Sequence, residues 1–313
     1  MTVLTGLDRL VRDDFEPLAG RRVGLLTNPS AVDRTLRSAY RRFADAPNIT
    51  LRALFGPEHG FAGMAADGAP IEDAVDPRTG VPLYSLYGAT MRPTAEMLRD
   101  LDALVVDLQD IGVRYYTYVW TVTHALEAAG ECGVPVVILD RPNPLGGAVV
   151  SGPLLERAYS SLVGRFPVPV RHGLTLGELA QMANALWNPT PVQVEVIRCE
   201  GWQRALTWEE TGLPWVPPSP AMPQLNTLWH YPGACLVEGT TLSEGRGTAL
   251  PFEIAGAPWI DADALADRLR EDGATAIFMG VDGQVAAIFA IADPVKPSTP
   301  EALAALKAQG IRV

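Results

Sequence analysis

Lysine is almost missing from this chain of 313 residues, occurring only at Lys296 and Lys307, and acidic residues outnumber basic ones 36 to 25, for a net charge of −11. Binding a nucleic acid requires a basic footprint to neutralise phosphates, so no nucleic-acid partner is expected. Adsorption to an anionic membrane surface is disfavoured for the same reason. Cysteine is scarce: Cys132, Cys199 and Cys235 are odd in number and far apart, with no Cys-x-x-Cys pair, which excludes a disulfide framework and leaves three reduced packing residues. The four histidines, at 59, 124, 172 and 230, form no HExxH pattern, so no metal is expected. Neither GxxxxGK[ST] nor GxGxxG occurs in the required context, which argues against ATP or NAD, and no cofactor is expected. No run approaches the roughly 18 apolar residues of a membrane span. The first residues, MTVLTGLDRLVRDDFEPL, lack the apolar stretch of a signal peptide, so the expected location is cytoplasmic.

Hydrophobic residues make up 48% and charged residues 19%, enough to bury a large core, and the length suggests about two domains at roughly 150 residues each. Short apolar runs recur in the first 175 residues: RRVGLLTN, ITLRALFG, LDALVVDLQD, VPVVILDRPN and FPVPVRHG. Segments with helical spacing follow them or lie between: TLRSAYRRFADA, PTAEMLRDL with Pro93 suited to a first turn, VWTVTHALEAAGECG with Gly133 as cap, and TLGELAQMANALW. Strands apolar almost throughout, alternating with helices, predict an α/β fold with a parallel sheet covered on both faces. Beyond about residue 188 the chain becomes rich in Pro and Trp, and PWVPPSPAMP marks a boundary or long crossover. ADALADRLRED reads as a helix, ATAIFMGV and QVAAIFAIA as a hairpin around Asp282-Gly283, and TPEALAALKAQG as a helix capped by Gly310.

Ligands of open α/β sheets bind beyond the carboxyl ends of the strands, and all five runs end in polar groups. These are Asn28; Glu58 and His59; Asp107, Gln109 and Asp110; Asp140, Arg141 and Asn143; Arg171 and His172. A pocket is expected on that edge. In FGPEHGF, Glu58 is either a general acid with a raised pKa or a loop carboxylate that caps a turn. VDLQDIGVRYYTY gathers Asp107, Asp110, Arg114 and three tyrosines including Tyr116, a set suited to a sugar or sugar acid; a helix-start ion pair with core tyrosines is the bland reading. Glu178 in RHGLTLGELA is a catalytic candidate or the third position of a capping box begun by Thr175. EGTTLSEGRGT adds Glu238, Glu244 and Arg246 among small residues, the texture of a loop packed near a ligand.

Taken in order, LLTNPSAV, LFGPEHGF, VDLQDIGVRYYTY, ILDRPNPLGG, RHGLTLGELA, PSPAMP, LVEGTTLSEGRGT and PFEIAGAPW resemble the NamZ-type exo-β-N-acetylmuramidases over roughly residues 1–265. The resemblance implies a Rossmann-like parallel sheet with flanking helices over 1–190, and a smaller α/β second domain over 191–313 that closes the site. It also implies release of N-acetylmuramic acid from the non-reducing end of peptidoglycan fragments, a small muropeptide-derived sugar being the partner. Glycoside hydrolysis needs a proton donor and usually a second carboxylate: Glu58 is the donor, and the second group is open among Asp110, Glu178, Glu238 and Glu244. Arg114, Arg141 and Arg246 are candidates to hold the lactyl carboxylate. Two departures stand out. Ala221 in PSPAMP replaces an expected Asn, and residues 272–313 resemble a stretch of a heavy-metal P-type ATPase that stops before any DKTGT motif, leaving the second domain truncated in family terms. A sugar-binding protein that keeps the pocket without turnover is the alternative, and a phosphosugar enzyme is weaker for want of phosphate motifs.

Overall fold

The computed structural model describes residues 3–63, 65, 68–271, 275–281 and 284–291. By compactness the chain divides after Cys235. The first unit is built on a seven-stranded sheet: β1 (Arg22–Thr27), β2 (Thr50–Gly56), β3 (Ala74–Val75), β4 (Pro82–Ser85), β5 (Ala103–Asp107), β6 (Val136–Leu139) and β7 (Val194–Ile197), in the spatial order β3-β4-β2-β1-β5-β6-β7. Every pair is parallel except the short edge strand β3, which runs against β4. β5 and β6 are buried at every position, which is why both read as unbroken apolar runs rather than as alternation.

Four of the five expected runs are strands of this sheet. The fifth, FPVPVRHG, is not: Pro167 and Pro169 remove the N–H from every second residue, so the segment cannot join a central ladder. Instead Arg171 makes isolated bridges with Val113 and Ser151. The positions beyond β2 go to β4, which opens on a proline, and the short edge strand β3, and the other edge goes to β7, whose exposed Glu195 suits it.

The helices of this unit are α1 (Gly6–Arg12), α2 (Ala39–Asp45), α3 (Ala95–Leu98), α4 (Tyr118–Cys132), α5 (Leu176–Leu186), α6 (Trp208–Thr211) and α7 (Leu225–Ala234). Gly133 ends α4 with φ 68, as its position after the apolar repeat predicts. Pro93 lies just outside its helix, because Thr94 takes the N-cap of α3. Leu7, Leu10, Phe15 and Phe43 pack against Val23, Leu25, Val105, Val137 and Leu139 in one core cluster. Leu104, Val106 and Ile138, of opposite parity, are equally buried and point to the other face, and α4 packs against α3 and α5.

Residues 3–9 are stitched to the far end of the sheet. Val3 N donates to Thr211 O (3.0 Å), Gly6 N to Asp140 O (2.7 Å) and Arg9 Nη1 to Arg198 O (2.9 Å), while Leu4 pairs with Glu200. A Cβ on Gly6 would sit 2.5 Å from both Asp140 N and Ile197 O, so only glycine lets α1 start there. These contacts, and β7 itself, carry the first compact unit past residue 190 to residue 235.

In the second unit α8 (Ala262–Glu271) lies beside an antiparallel pair, β8 (Thr275–Val281) and β9 (Gln284–Ile291). The expected hairpin is therefore present as strands. Its Asp282-Gly283 turn and the helix expected over TPEALAALKAQG lie outside the described residues. No described helix is long and apolar enough to cross a membrane.

Candidate active site

From β1 the sheet grows one way to β2 and β4 and the other way to β5, β6 and β7, so the strand order reverses between β1 and β5. The crevice outside the carboxyl ends at such a reversal is where doubly wound sheets hold ligands. Asn28 follows β1 and Gln109 and Asp110 follow β5, flanking that point; Glu58 and His59 follow β2, and Asp140, Arg141 and Asn143 follow β6. All of these side chains are buried, as are Asp107, Arg114 and His172.

Glu58 is held at both oxygens. Thr117 Oγ1 donates to Oε2 (2.6 Å) and Gly68 N to Oε1 (3.2 Å). Burial raises the pKa of the Tyr87 and Tyr118 hydroxyls, and the charge of Glu58 adds to the rise in both, which places two phenols around the carboxylate. His59 sits at φ 65, a left-handed conformation uncommon outside glycine, and its Nδ1–H donates to Ala65 O (2.9 Å). Asn28 Nδ2 donates to Tyr118 Oη (2.8 Å) and to Pro218 O (3.1 Å). Asn28 also lines a cavity of about 510 Å³ together with Phe61, Tyr40 and Arg41.

Several expected ligand-binding groups make hydrogen bonds within the scaffold. Arg141 forms a two-pronged pair with Asp107, Nε to Oδ1 at 2.6 Å and Nη2 to Oδ2 at 3.0 Å, and gives its remaining donors to Val32 O. Arg114 donates from Nη1 to Pro153 O and Val168 O, each at 2.7 Å, and stacks on Tyr115. The Arg141 fork is thus taken up by Asp107, whereas Arg114 keeps a buried Nε with no hydrogen-bond partner among the described residues. Gln109 Nε2 donates to Asp110 O and Pro142 O, its buried Oε1 having no hydrogen-bond partner among the described residues, and Asn143 joins Leu174 O to Leu145 N. The Tyr116 ring is 5% exposed and packs 4.7 Å from that of Tyr118, as core rather than as an open sugar platform.

The FPVPVRHG segment contributes as a clamp on the loop after β5. Arg114 N donates to Val170 O (2.8 Å) and His172 N to Gly112 O (3.4 Å), which sets His172 Nε2 3.5 Å from Asp110 Oδ2. Gly112 has φ 80, and a Cβ there would lie 2.2 Å from Asn143 Oδ1, so this tight turn requires glycine.

Glu178 has the bland role. Its Oε2 accepts from Thr175 N in a capping box, and Arg204 pairs with its Oε1. It lines a separate cleft of about 370 Å³ with Asp140, Trp202 and Arg204, beside β6 and three strand spacings, roughly 14 Å, from β2. Glu178 is therefore not brought to Glu58. Asp140 accepts from Thr175 Oγ1 (2.8 Å) and Gly177 N (2.9 Å), tying β6 to the start of α5. Burial pushes its carboxyl up to about 6, against those hydrogen bonds. A folded-state value above the ordinary one of about 3.9 means that the folded protein holds the proton more tightly than the unfolded chain between those limits. This contribution to stability is present below about pH 4 and lost as pH rises through about 6, on the order of 3 kcal/mol. Asn keeps an oxygen for Gly177 N and can donate its amide to Thr175 Oγ1, so Asp140→Asn flattens the slope of unfolding free energy over that window in urea titrations. An unchanged slope would mean that another group titrates there.

In the second unit Glu244 accepts from Arg246 Nε (2.9 Å), and Glu238 pairs with the same guanidinium, which also stacks on Phe252. Arg246 thus has two carboxylate partners within its own loop.

Three contributors escaped the sequence reading. Thr117 occupies the N-cap of α4 yet makes no capping bond, its hydroxyl being turned to Glu58; a threonine before a helix reads as a cap and hides this use. Pro218 O, from the PSPAMP segment, receives both Asn28 and Tyr118. Trp229 lies under Arg171.

Residues 23–226 match the family described as exo-β-N-acetylmuramidase NamZ, N-terminal, and residues 229–281 its C-terminal counterpart. The chain is 46% identical over 268 residues to the peptidoglycan β-N-acetylmuramidase NamZ of Bacillus subtilis (strain 168), covering 86% of this chain and 64% of that relative. A crystal structure of a DUF1343 family protein from Bacteroides fragilis NCTC 9343 superposes with a TM-score of 0.84 at 39% identity, over 92% of this chain and 76% of that one. A short stretch of 50 residues is 52% identical to a silver exporting P-type ATPase of Salmonella typhimurium, 16% of this chain against 6% of the transporter. The long match, the sheet order and the polar edge around Glu58 agree, and the chain belongs to the NamZ exo-β-N-acetylmuramidase family.

Proposed function

We propose that the protein is an exo-acting glycoside hydrolase that releases N-acetylmuramic acid from the non-reducing end of peptidoglycan fragments, in cell-wall turnover and recycling. The observation that carries this reading is Glu58: a buried carboxyl at the carboxyl edge of the sheet, in the family's GPEHG motif, aimed by Thr117 and Gly68. It delivers a proton to the leaving glycosidic oxygen as the bond to the muramyl anomeric carbon breaks. Family membership and the named Bacillus subtilis relative support the substrate class. PSPAMP brings the backbone carbonyl of Pro218 to the site, a contribution that does not depend on the side chain at Ala221.

The test is incubation with two sets of short glycans, one with N-acetylmuramic acid at the non-reducing end and one with N-acetylglucosamine there. Free N-acetylmuramic acid should appear from the first set only. Saturable binding without release would identify a sugar-binding protein, and cleavage at internal linkages would refute the exo assignment.

A further inference from the structure

Where each carboxylate of the first unit's sheet edge spends its oxygens leaves one of them unmatched. Asp107 is committed to Arg141, Asp140 to Thr175 and Gly177, Glu178 to Thr175 and Arg204, and both oxygens of Glu58 are held by Thr117 and Gly68. Asp110 differs. Gly112 N donates to Oδ2 (2.7 Å), and Oδ1 is buried with no hydrogen-bond partner among the described residues. A buried carboxylate oxygen left without a donor is costly, and such atoms are normally met by water or by a ligand. We propose that Asp110 is the second catalytic carboxylate, the general base that takes a proton from the attacking water. This role rests on the glycosidase reading above.

The surroundings of Asp110 hold it rigidly. His172 Nδ1 accepts from Leu174 N (3.2 Å), which assigns the ring proton to Nε2, on the side of Asp110. Gly112, wedged against Asn143, and Gln109, hydrogen-bonded to Asp110 O, fix the backbone that carries the carboxylate. His172 is a positioning residue in this arrangement. Asp110 also flanks the strand-order reversal, where a ligand is expected.

The general-base role carries a stereochemical consequence, since a carboxylate that activates water gives inversion. Glu58 lies just beyond β2 and Asp110 just beyond β5, with β1 between them, so their strands are two spacings or roughly 10 Å apart. Glu58 accepts from Thr117, on the segment that continues from Asp110, which ties the two loops together. Carboxyl groups about 6.5–9.5 Å apart leave room for a water and invert configuration, whereas a separation of about 5 Å belongs to a retaining pair. In the step, the water oxygen bonds to the anomeric carbon as its proton passes to Asp110 Oδ1, the carbon–oxygen bond to the leaving sugar breaks, and Glu58 protonates that oxygen. Solvent exchange then returns the proton from Asp110 to Glu58.

Early proton NMR spectra of the wild-type reaction with N-acetylmuramyl-β-1,4-N-acetylglucosamine should show the α anomer of N-acetylmuramic acid forming first. That readout needs no variant. Asp110→Asn should lower kcat about 10²–10⁴-fold with KM little changed, and equally on a 4-nitrophenyl β-N-acetylmuramide, since water must attack in both. Initial release of the β anomer, or a variant that raises KM while keeping kcat, would overturn the base role and leave the glycosidase reading standing. No release by the wild type from either substrate would overturn both.

Discussion

Replacing Glu58 with Gln lowers kcat on an unactivated muramyl disaccharide by about 10²–10⁴-fold and leaves the melting temperature near that of the wild type. Gln has the same shape, keeps an oxygen for Gly68 N and turns its amide to the Thr117 hydroxyl, which can accept, but it has no proton to transfer to the leaving oxygen. The loss depends on the leaving group. A sugar hydroxyl departs poorly without a proton, whereas 4-nitrophenol departs readily, so the deficit shrinks on the chromogenic substrate. Stopped assays on both substrates decide the matter: an undiminished rate on the disaccharide would remove Glu58 from the acid role. The contrast with Asp110→Asn, whose loss is the same for both leaving groups, separates acid from base.

The second large effect concerns stability. Arg141→Met costs about 3–5 kcal/mol, because it leaves Asp107 as a buried charge without its partner and strips the donors from Val32 O. Asp107 is fully buried and Arg141 nearly so; burial pushes the Asp107 carboxyl upward, and the charge and hydrogen bonds of Arg141 pull against it. Replacing both partners with apolar residues removes the stranded charge, so Asp107→Leu combined with Arg141→Met recovers most of the loss. Urea unfolding of the two single variants and the double variant checks this. If Arg141 served the substrate carboxylate instead, the single change would raise KM and spare the midpoint.

That pair also shows how far residue order reaches. The apolar runs at 22–27, 50–56, 103–107 and 136–139 are legible because both faces of each strand are covered, and the polar residues just past them mark the right edge of the sheet. The capping box of Thr175 and Glu178 is equally legible, being local. Asp107 and Arg141 are 34 residues apart, and nothing in either segment tells that they answer one another rather than a ligand. The same holds for Asp110 among the candidate carboxylates: what distinguishes it is an oxygen left over after its neighbours are paired, and pairing is a three-dimensional matter. FPVPVRHG misled in a different way, since hydrophobicity promised a strand and two prolines denied it the ladder while leaving His172 at the site.

The stitching of residues 3–9 to Asp140, Arg198, Glu200 and Thr211 has a consequence for biosynthesis. At ~5–20 residues per second, about 200 residues of synthesis separate the two sides by ~10–40 s. Leu7 and Leu10 pack on residues made earlier, such as Val23, Leu25, Val105 and Val137, whereas the backbone bonds of residues 3–9 to Arg198, Glu200 and Thr211 wait for the end of that interval. The first helix is therefore joined to the unit by contacts of high sequence separation, and its backbone bonds to Arg198, Glu200 and Thr211 close only when the last strand of the sheet arrives.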